Sequence, residues 1–436
     1  MEFDGSDAGG GLNEPEVKRR QILPKAVVVG IAAGVIASAF RLSLEWVEQL
    51  RTSTIGHLPR GAAFAVAVSG GAVLGALALW LVRKFAPETA GSGIPHLQSV
   101  LLGEKEMRWK RVLPVKFIAG VLGIGGGLAL GREGPTVQMG GAAGMMVAGW
   151  FRIRTGFGEK KALMSAGAGA GLAAAFNAPL AGVIFVLEEL QRSFTPVVFV
   201  AAFLASVCGD VVSRLIAGDS PIFHLRELPD IPLRELPFAL LLGILAGFAG
   251  ILFNRCLLGS LSGFERITSS KWMPGAIAGG LAGLAAWTMP GLAGGGGTIA
   301  DQAIAGQIAL SLLPVLLIAR FALTMVSYGS GAAGGIFAPM LVVGALGGLL
   351  LGQSVESVLP AALGHPEVFA VLGMGALFTA VVRAPLTGVV LMVEMTGHYG
   401  FMLPLLVCCL TAYGVAERMG EPPIYEALKR RAARKA

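Results

Sequence analysis

Six uncharged runs of 19 to 35 residues dominate this sequence and limit what it can fold into. They cover residues 61–82, 162–187, 236–254, 272–300, 321–355 and 395–416. A membrane-spanning helix needs about 20 consecutive apolar residues, so several of these runs predict a crossing. The run at 321–355 is too long for one crossing. Its glycines predict broken or re-entrant helices, because irregular backbone at membrane depth must line a cavity or be buried in protein.

The composition excludes a soluble globular domain. Hydrophobic residues make up 54% of the chain and charged residues only 14%, and the mean hydropathy is +0.72. Soluble domains carry about 25% charged residues. We therefore predict an all-α, polytopic membrane protein.

The chain is duplicated. The hexapeptide at 178–183, which precedes Glu188 and Glu189, returns at 384–389 before Glu394 with one substitution. A similar shift relates four more residues, Gly131, Pro135, Gly140 and Gly144, to Gly335, Pro339, Gly344 and Gly348. Helices interrupted by glycine and proline at matching positions of two halves are typical of transporters built from inverted repeats, whose broken helices converge on a substrate site.

The segment GREGP at 131–135 places an acid where none is expected. Arg132 and Glu133 lie between two uncharged runs, at 117–131 and 134–151. A charge at the bilayer centre costs on the order of 3 kcal/mol, so such residues usually face a water-filled or protein-lined pathway. Gly134 and Pro135 predict a helix start, which puts Glu133 at a helix N-terminus. Helix N-termini bind anions, so this glutamate can itself occupy an anion site.

Basic residues cluster at both ends of the chain. They are Lys18, Arg19, Arg20 and Lys25 near the start, and Lys429, Arg430, Arg431, Arg434 and Lys435 near the end. The positive-inside rule then predicts that both termini are cytoplasmic. No basic face with interleaved aromatics accompanies these tails, so nucleic acid is not a predicted partner.

These patterns divide the chain into five predicted segments. They are a cytoplasmic N-terminal segment at 1–25, a first transmembrane repeat at 26–217, an inter-repeat linker at 218–235, a second repeat at 236–417 and a cytoplasmic C-terminal helix at 418–436.

No motif for catalysis, a cofactor or a metal is present. GxSxG, HExxH and phosphate loops are missing, and Cys208, Cys256, Cys408 and Cys409 lack metal-ligand spacing. We therefore predict a protein that is not an enzyme.

Four motifs, taken together, resemble the CLC family of chloride channels and chloride/proton antiporters. They are GSGIP at 91–95, GREGP at 131–135, GGIFAP at 334–339 and the late Tyr425, in the family's order and approximate spacing. The resemblance is strongest to bacterial antiporters. It implies two inverted repeats, a homodimer in the bacterial inner membrane, and exchange of chloride for protons. A passive, voltage- or pH-gated chloride channel is the alternative, distinguished by the absence of uphill proton movement.

The resemblance also assigns roles to six residues. Ser92 and Tyr425 would bind the central chloride through their hydroxyls, and Ile336 and Phe337 through their backbone amides. Glu133 would be the gating glutamate. Glu189 would be the internal proton-transfer glutamate.

Each acid has a structural alternative. Glu133 could form an ion pair with Arg132, although consecutive helical residues do not face each other. Glu189 could be a helix-end glutamate near Arg192, although 26 uncharged residues precede Glu188. We favour the functional interpretation of both.

The other charged residues in or beside the apolar runs are interpreted as structural or interface groups: Lys116, Arg320, Arg383 and Glu394. Three residues depart from the family pattern: His96, Gln98 and Ala333. We expect none of these three to contact a predicted ion ligand.

Overall fold

The computed structural model describes residues 17–153, 157–219, 231–360 and 362–434, and within these ranges the chain forms 17 α-helices and no strands. The helices are α1 (Val17–His57), α2 (Arg60–Phe85), α3 (Ile94–Leu101), α4 (Trp109–Gly120), α5 (Glu133–Trp150), α6 (Phe157–Phe176), α7 (Pro179–Phe185), α8 (Pro196–Ala217), α9 (Leu236–Ile267), α10 (Met273–Thr288), α11 (Gly297–Ile304), α12 (Leu313–Gly329), α13 (Phe337–Val358), α14 (Val368–Val382), α15 (Pro385–Thr396), α16 (Met402–Arg418) and α17 (Ile424–Ala433). The predicted all-α class is confirmed.

Six of the described helices are long and apolar enough to cross a membrane. They are Gln21–His57, Arg60–Phe85, Pro196–Ala217, Leu233–Ile267, Phe337–Val358 and Tyr399–Arg418. The chain is therefore a multi-pass membrane protein.

Several apolar runs are broken, as the sequence predicted. The run 321–355 is divided into α12 and α13 by residues 330–336. Two helices also end in a π-helical turn, at Val121–Gly125 and at Val186–Gln191. Single π-helical turns are rare overall, but those that occur are often at functional sites. No sequence periodicity predicts them.

Equivalent residues of the two repeats contact each other. Gly131 and Gly335, which the duplication relates, exchange two backbone hydrogen bonds of 2.7 Å in an antiparallel bridge. A second pair of equivalent residues, Glu188 and Glu394, also joins the two repeats. Glu188 accepts hydrogen bonds from the first turn of α15, and Glu394 accepts them from the first turn of α7. Reciprocal bonding of this kind is what a two-fold relation between the repeats produces.

Small residues allow the long helices to pack closely. A Cβ at Gly71 or Gly75 of α2 would lie 2.2–2.3 Å from a backbone oxygen of α10. The same close approach joins Gly140 of α5 to Gly167 of α6. In lipid, the hydrophobic effect does not drive helices together, so their association depends on close backbone packing. Glycine is required at such crossings because any side chain would prevent that packing.

The predicted segment boundaries lie close to helix ends at three of four positions. The first repeat is predicted to end at 217, where α8 ends; the second begins at 236 with α9, and its predicted end at 417 is one residue short of the end of α16. The first boundary, at 25/26, falls inside α1. Most of the predicted linker 218–235, namely residues 220–230, lies outside the described residues.

Candidate functional site: a junction of helix N-termini

Two loop contacts bring the motif segments to one junction. Besides the bridge between Gly131 and Gly335, Gly91 donates a 3.1 Å backbone hydrogen bond to Ala332 and accepts one of 3.0 Å from Gly334. The segments that begin α3, α5 and α13 are therefore bonded to each other. None of these three helices has an N-cap side chain that satisfies its first turn. Their first-turn N–H groups, of which that of Ile94 donates to Ser92 Oγ at 3.4 Å, give the junction a positive potential.

Glu133 begins α5 and is 3% exposed. Its Oε2 accepts a 3.3 Å hydrogen bond from the backbone N–H of Ala338, in the first turn of α13. The carboxyl group of one repeat therefore lies at the helix N-terminus of the other. Glu133 therefore lies at a helix N-terminus, as the sequence predicted.

The structural alternative for Glu133 was an ion pair with Arg132. The Arg132 guanidinium instead donates to the carbonyl of Ala175 at 3.2 Å and lies 3.8 Å from Glu45. Its charge still acts on Glu133 from a distance. Glu133, Arg132, Glu45 and Glu48 all line one cavity of about 270 Å³.

Ser92 lies against the start of α5. A Cβ at Gly134 would approach the Cβ and carbonyl oxygen of Ser92 to 2.9 Å, so only glycine fits there. Gly93 has φ +80°, and a Cβ at this position would collide with the side chain of Gln138. These glycines bring the hydroxyl-bearing loop and the glutamate-bearing helix together.

Tyr425 is fully buried at the first turn of α17, and its hydroxyl has no hydrogen-bond partner among the described residues. Buried tyrosine hydroxyls usually find a partner, so this one requires an explanation. The titratable groups near the phenol include Tyr328, Glu189 and Glu133. An anion bound at the junction would accept its hydrogen bond.

Sequence reasoning did not identify Tyr328. This residue is buried near the end of α12, and its side chain lies close to Ser92. A tyrosine in an apolar helix carries no signal of its own, and only the duplication of the chain could have directed attention to the segment before 334–339.

Phe337 contributes its backbone to the junction while its ring packs elsewhere. The ring lies 5.1 Å from that of Phe176, 6.4 Å from Phe185 and 4.5 Å from Phe378, measured between centroids. This aromatic cluster fixes the first turn of α13, so the N–H groups near Ile336 and Phe337 are held in place.

Glu189 lies in the π-helical turn after α7 and its side chain is 3% exposed. Gln98 donates to its Oε1 at 2.8 Å and to its backbone oxygen at 3.1 Å. Arg192 approaches the same Oε1 to 3.7 Å. Glu189 therefore does contact Arg192, as its interpretation as a helix-end glutamate required. Its carboxyl group is nevertheless buried, unlike that of a surface helix end.

One departure from the family pattern bears on this acid. Gln98 does contact Glu189, which is the predicted proton-transfer residue, although not a predicted chloride ligand. His96 instead lies 3.2 Å from the Gln138 side chain. Ala333 forms a parallel bridge with Gly91, next to Ser92.

The buried cations that were interpreted as structural groups hold loops beside the junction. Lys116 donates to the carbonyls of Thr89 and Gly91, at 2.9 and 2.6 Å, and so fixes the loop before Ser92. Arg320 donates to Leu292 and Gly295, at 2.5 and 2.7 Å. Gly295 lines the cavity that contains Glu133.

The arrangement favours anion binding without a full positive charge at the site. Neutral hydroxyls, backbone amides and helix N-termini hold a large, weakly basic anion loosely enough for release. Among the described residues, no group of three or more His, Cys, Asp or Glu could hold a metal ion.

Comparison with known proteins gives consistent results. Residues 74–417 match the family described as voltage gated chloride channel. The chain is 41% identical, over 94% of its length and 89% of the relative's, to the H(+)/Cl(-) exchange transporter ClcA of Vibrio parahaemolyticus serotype O3:K6 (strain RIMD 2210633). It is 42% identical to the protein of the same name from Citrobacter koseri (strain ATCC BAA-895 / CDC 4225-83 / SGSC4696), over 93% of this chain and 88% of that one.

A solved structure is also similar along nearly the whole chain. The crystal structure of a slow cyanobacterial Cl-/H+ antiporter superposes with a TM-score of 0.89 at 39% identity, covering 94% of this chain and 98% of that one.

Proposed function

Since this chain belongs to the voltage-gated chloride channel (CLC) family, we propose that it exchanges chloride for protons across a membrane. The relatives named above are exchange transporters and an antiporter, which favours exchange over a passive channel. The protein is a transporter, and no enzymatic activity is part of the proposal.

One observation carries the proposal. A titratable carboxyl group, that of Glu133, is buried at a junction of helix N-termini and accepts a hydrogen bond from a backbone N–H of the opposite repeat. A carboxylate at these helix N-termini occupies a site that would also bind a halide. The acid and the anion therefore compete for one electropositive place, and their occupancies become linked.

The transport step follows from this competition. Ionised Glu133 blocks the path, because its charge is stabilised by the first turn of α13. Protonation removes that charge and releases the side chain, and chloride then takes the donors of Ser92, Ile336, Phe337 and Tyr425. Chloride departure lets Glu133 ionise again and return. Each cycle moves a proton and chloride in opposite directions.

The proton takes a separate route on the other side of the junction. Glu189 is buried and lies close enough to Tyr425 to interact with it. We assign Glu189 the transfer of protons between Glu133 and the cytoplasm, on the side where both termini lie by the charge rule.

The remaining assignments complete the proposal. The protein acts as a homodimer in the lipid of the bacterial inner membrane, with chloride and protons as its substrates and no nucleic-acid partner. Its repeats extend over 26–217 and 236–417, the linker over 218–235, and residues 1–25 and 418–436 face the cytoplasm.

Purified protein in liposomes tests the function directly. Liposomes loaded with chloride are diluted into a chloride-poor medium, and external pH and chloride are recorded together. We expect outgoing chloride to drive protons inward against their own gradient. Chloride efflux without uphill proton uptake would leave only the channel.

A further inference from the structure

Arg192 lies between two carboxylates that belong to distant parts of the chain. Its Nη2 is 3.7 Å from Oε1 of Glu189, and its Nη1 donates a 3.1 Å hydrogen bond to Oε2 of Glu426. The Arg192 side chain is 48% exposed, whereas that of Glu189 is 3% exposed. The guanidinium therefore covers the buried acid on the side that faces water.

The local backbone is built to hold this arginine in place. Arg192 directly follows the π-helical turn that carries Glu189, and its φ is +51°. Non-glycine residues rarely adopt this conformation, and one that does is usually held by its surroundings. Here the left-handed turn brings the guanidinium back over the residue three positions earlier.

Glu426 joins this arginine to the candidate chloride site. It follows Tyr425 directly in α17, and Arg430, one turn later, also contacts its carboxylate. The hydrogen bond from Arg192 is the largest of the effects that lower the pKa of Glu426. Glu426 is therefore ionised at neutral pH and keeps Arg192 in place.

The other groups around Glu189 complete its environment. Gln98 of α3 donates to the carboxylate, whereas Glu188 and Glu426 each add a like charge. The carboxylate of Glu188 itself binds the first turn of α15. Arg192 is therefore the cation that favours the ionised form of Glu189.

We propose that Arg192 is a positioning residue for proton transfer, which holds the Glu189 carboxylate and, through Glu426, ties it to the helix that carries Tyr425. This inference rests on the proposed exchange of chloride for protons. A movement of Tyr425 on chloride binding would be transmitted along α17 to Glu426 and to the cation over the proton-transfer acid. Loss of the cation therefore impairs proton transfer more than chloride transport.

The test compares proton and chloride fluxes of four variants in liposomes, with wild type as the reference. We expect Arg192→Gln to lower the ratio of protons to chloride by about threefold or more, the effect of removing a modest ion pair. Arg192→Lys keeps the cation and should restore most of the ratio. Glu426→Gln should lower it by a smaller factor, because Arg192 remains but loses its anchor.

Lys429→Gln is the matched control. Lys429 also lies on α17 and pairs with Glu104 at 2.9 Å, away from Glu189. We expect Lys429→Gln to have the same ratio of protons to chloride as wild type. Equal losses in Lys429→Gln and Arg192→Gln would show that both only dock α17, and would overturn the positioning role.

Two further outcomes are distinguishable. A normal ratio in Arg192→Gln, with exchange intact in wild type, overturns this inference alone. Absence of uphill proton movement in wild type overturns both the inference and the proposed function. Chloride flux serves as the check on folding, since a misfolded variant loses both fluxes.

Discussion

At Glu133, one carboxyl group belongs to the helix of one repeat and bonds to the helix of the other. Its hydrogen bond from Ala338 favours the ionised form, while burial favours the neutral form. A residue under two opposed influences can change its protonation state when an anion arrives or leaves. In the proposed mechanism, blocking of the anion path and acceptance of the proton therefore fall on the same side chain.

Replacing the carboxyl group of Glu133 should uncouple the proton flux from the chloride flux. We expect Glu133→Gln to abolish uphill proton movement and to flatten the pH dependence of chloride flux, because an amide cannot carry the proton. The liposome assay measures both. Glu356→Gln makes the same chemical change at an exposed position of α13 and should behave as wild type. Retained coupling in Glu133→Gln would refute its role.

The unpartnered hydroxyl of Tyr425 makes a second prediction at this scale. We expect Tyr425→Phe to weaken chloride binding by about tenfold, the equivalent of one hydrogen bond to an anion. Titration calorimetry in detergent measures the affinity. Tyr399→Phe, at a tyrosine that is 72% exposed, is the control. An unchanged affinity in Tyr425→Phe would mean that its hydroxyl does not contact the ion.

At the level of elements, short helices that start inside the molecule depend on partners for their first turns. Glu394 accepts from Leu180 and Ala181 at 3.0 and 2.7 Å, and Glu188 accepts from Leu386 and Thr387 at 3.1 and 2.8 Å. Each repeat therefore caps a helix of the other. Glu394, interpreted from sequence as a structural pair or interface group, has a capping function.

The two caps should be energetically similar. We expect Glu188→Ala and Glu394→Ala each to destabilise the protein by about 1 kcal/mol, the usual effect of losing an N-terminal cap. Thermal unfolding in detergent detects the shift, with Glu356→Ala as the control for loss of a carboxylate. A stability equal to wild type in either capping variant would show that its carboxylate does not stabilise the helix that it caps.

At the scale of the whole molecule, the C-terminal helix α17 joins both repeats. Lys429 pairs with Glu104, in the loop after α3, and Arg431 pairs with Glu265 of α9, both at 2.9 Å. The hydrogen bond from Lys429 is the main reason that the pKa of Glu104 is lowered. The docking of α17 is thus partly electrostatic.

This pairing predicts a pH dependence of stability. Because the pKa of Glu104 is lower in the folded protein, its stabilisation is present above the ordinary carboxyl pKa of about 4.3 and is lost as the pH falls through the lowered value. We expect Glu104→Gln to reduce stability at pH 7 by a few tenths of a kcal/mol, as exposed pairs do. The difference should vanish in acid.

Unfolding of wild type and variant at neutral and acid pH measures this difference. Glu106→Gln, in the same loop, is the control, since the Glu106 side chain is 84% exposed and its carboxylate lies 3.8 Å from Arg108. A difference that persists below the lowered pKa would show that Glu104 acts through packing rather than charge.

Much of this architecture follows from sequence, since helix breaks and duplication leave local signals. Gly134 and Pro135 predict the start of α5, and the glycines of 330–336 predict the division of the long run. The contacts of Gln98 and Tyr328, and the contact of Arg192 with Glu426, could not be predicted. Each joins residues distant in sequence or depends on a π-helical turn, and neither leaves a periodic pattern.

The bridge between Gly131 and Gly335 has a consequence for ancestry. The junction forms only where the two repeats meet, so neither repeat contains it alone. A shorter forerunner with one repeat would have needed a second copy of itself, inserted in the opposite orientation, to make the same contact. In a single chain the two equivalent positions are free to differ, as Glu133 and Phe337 do.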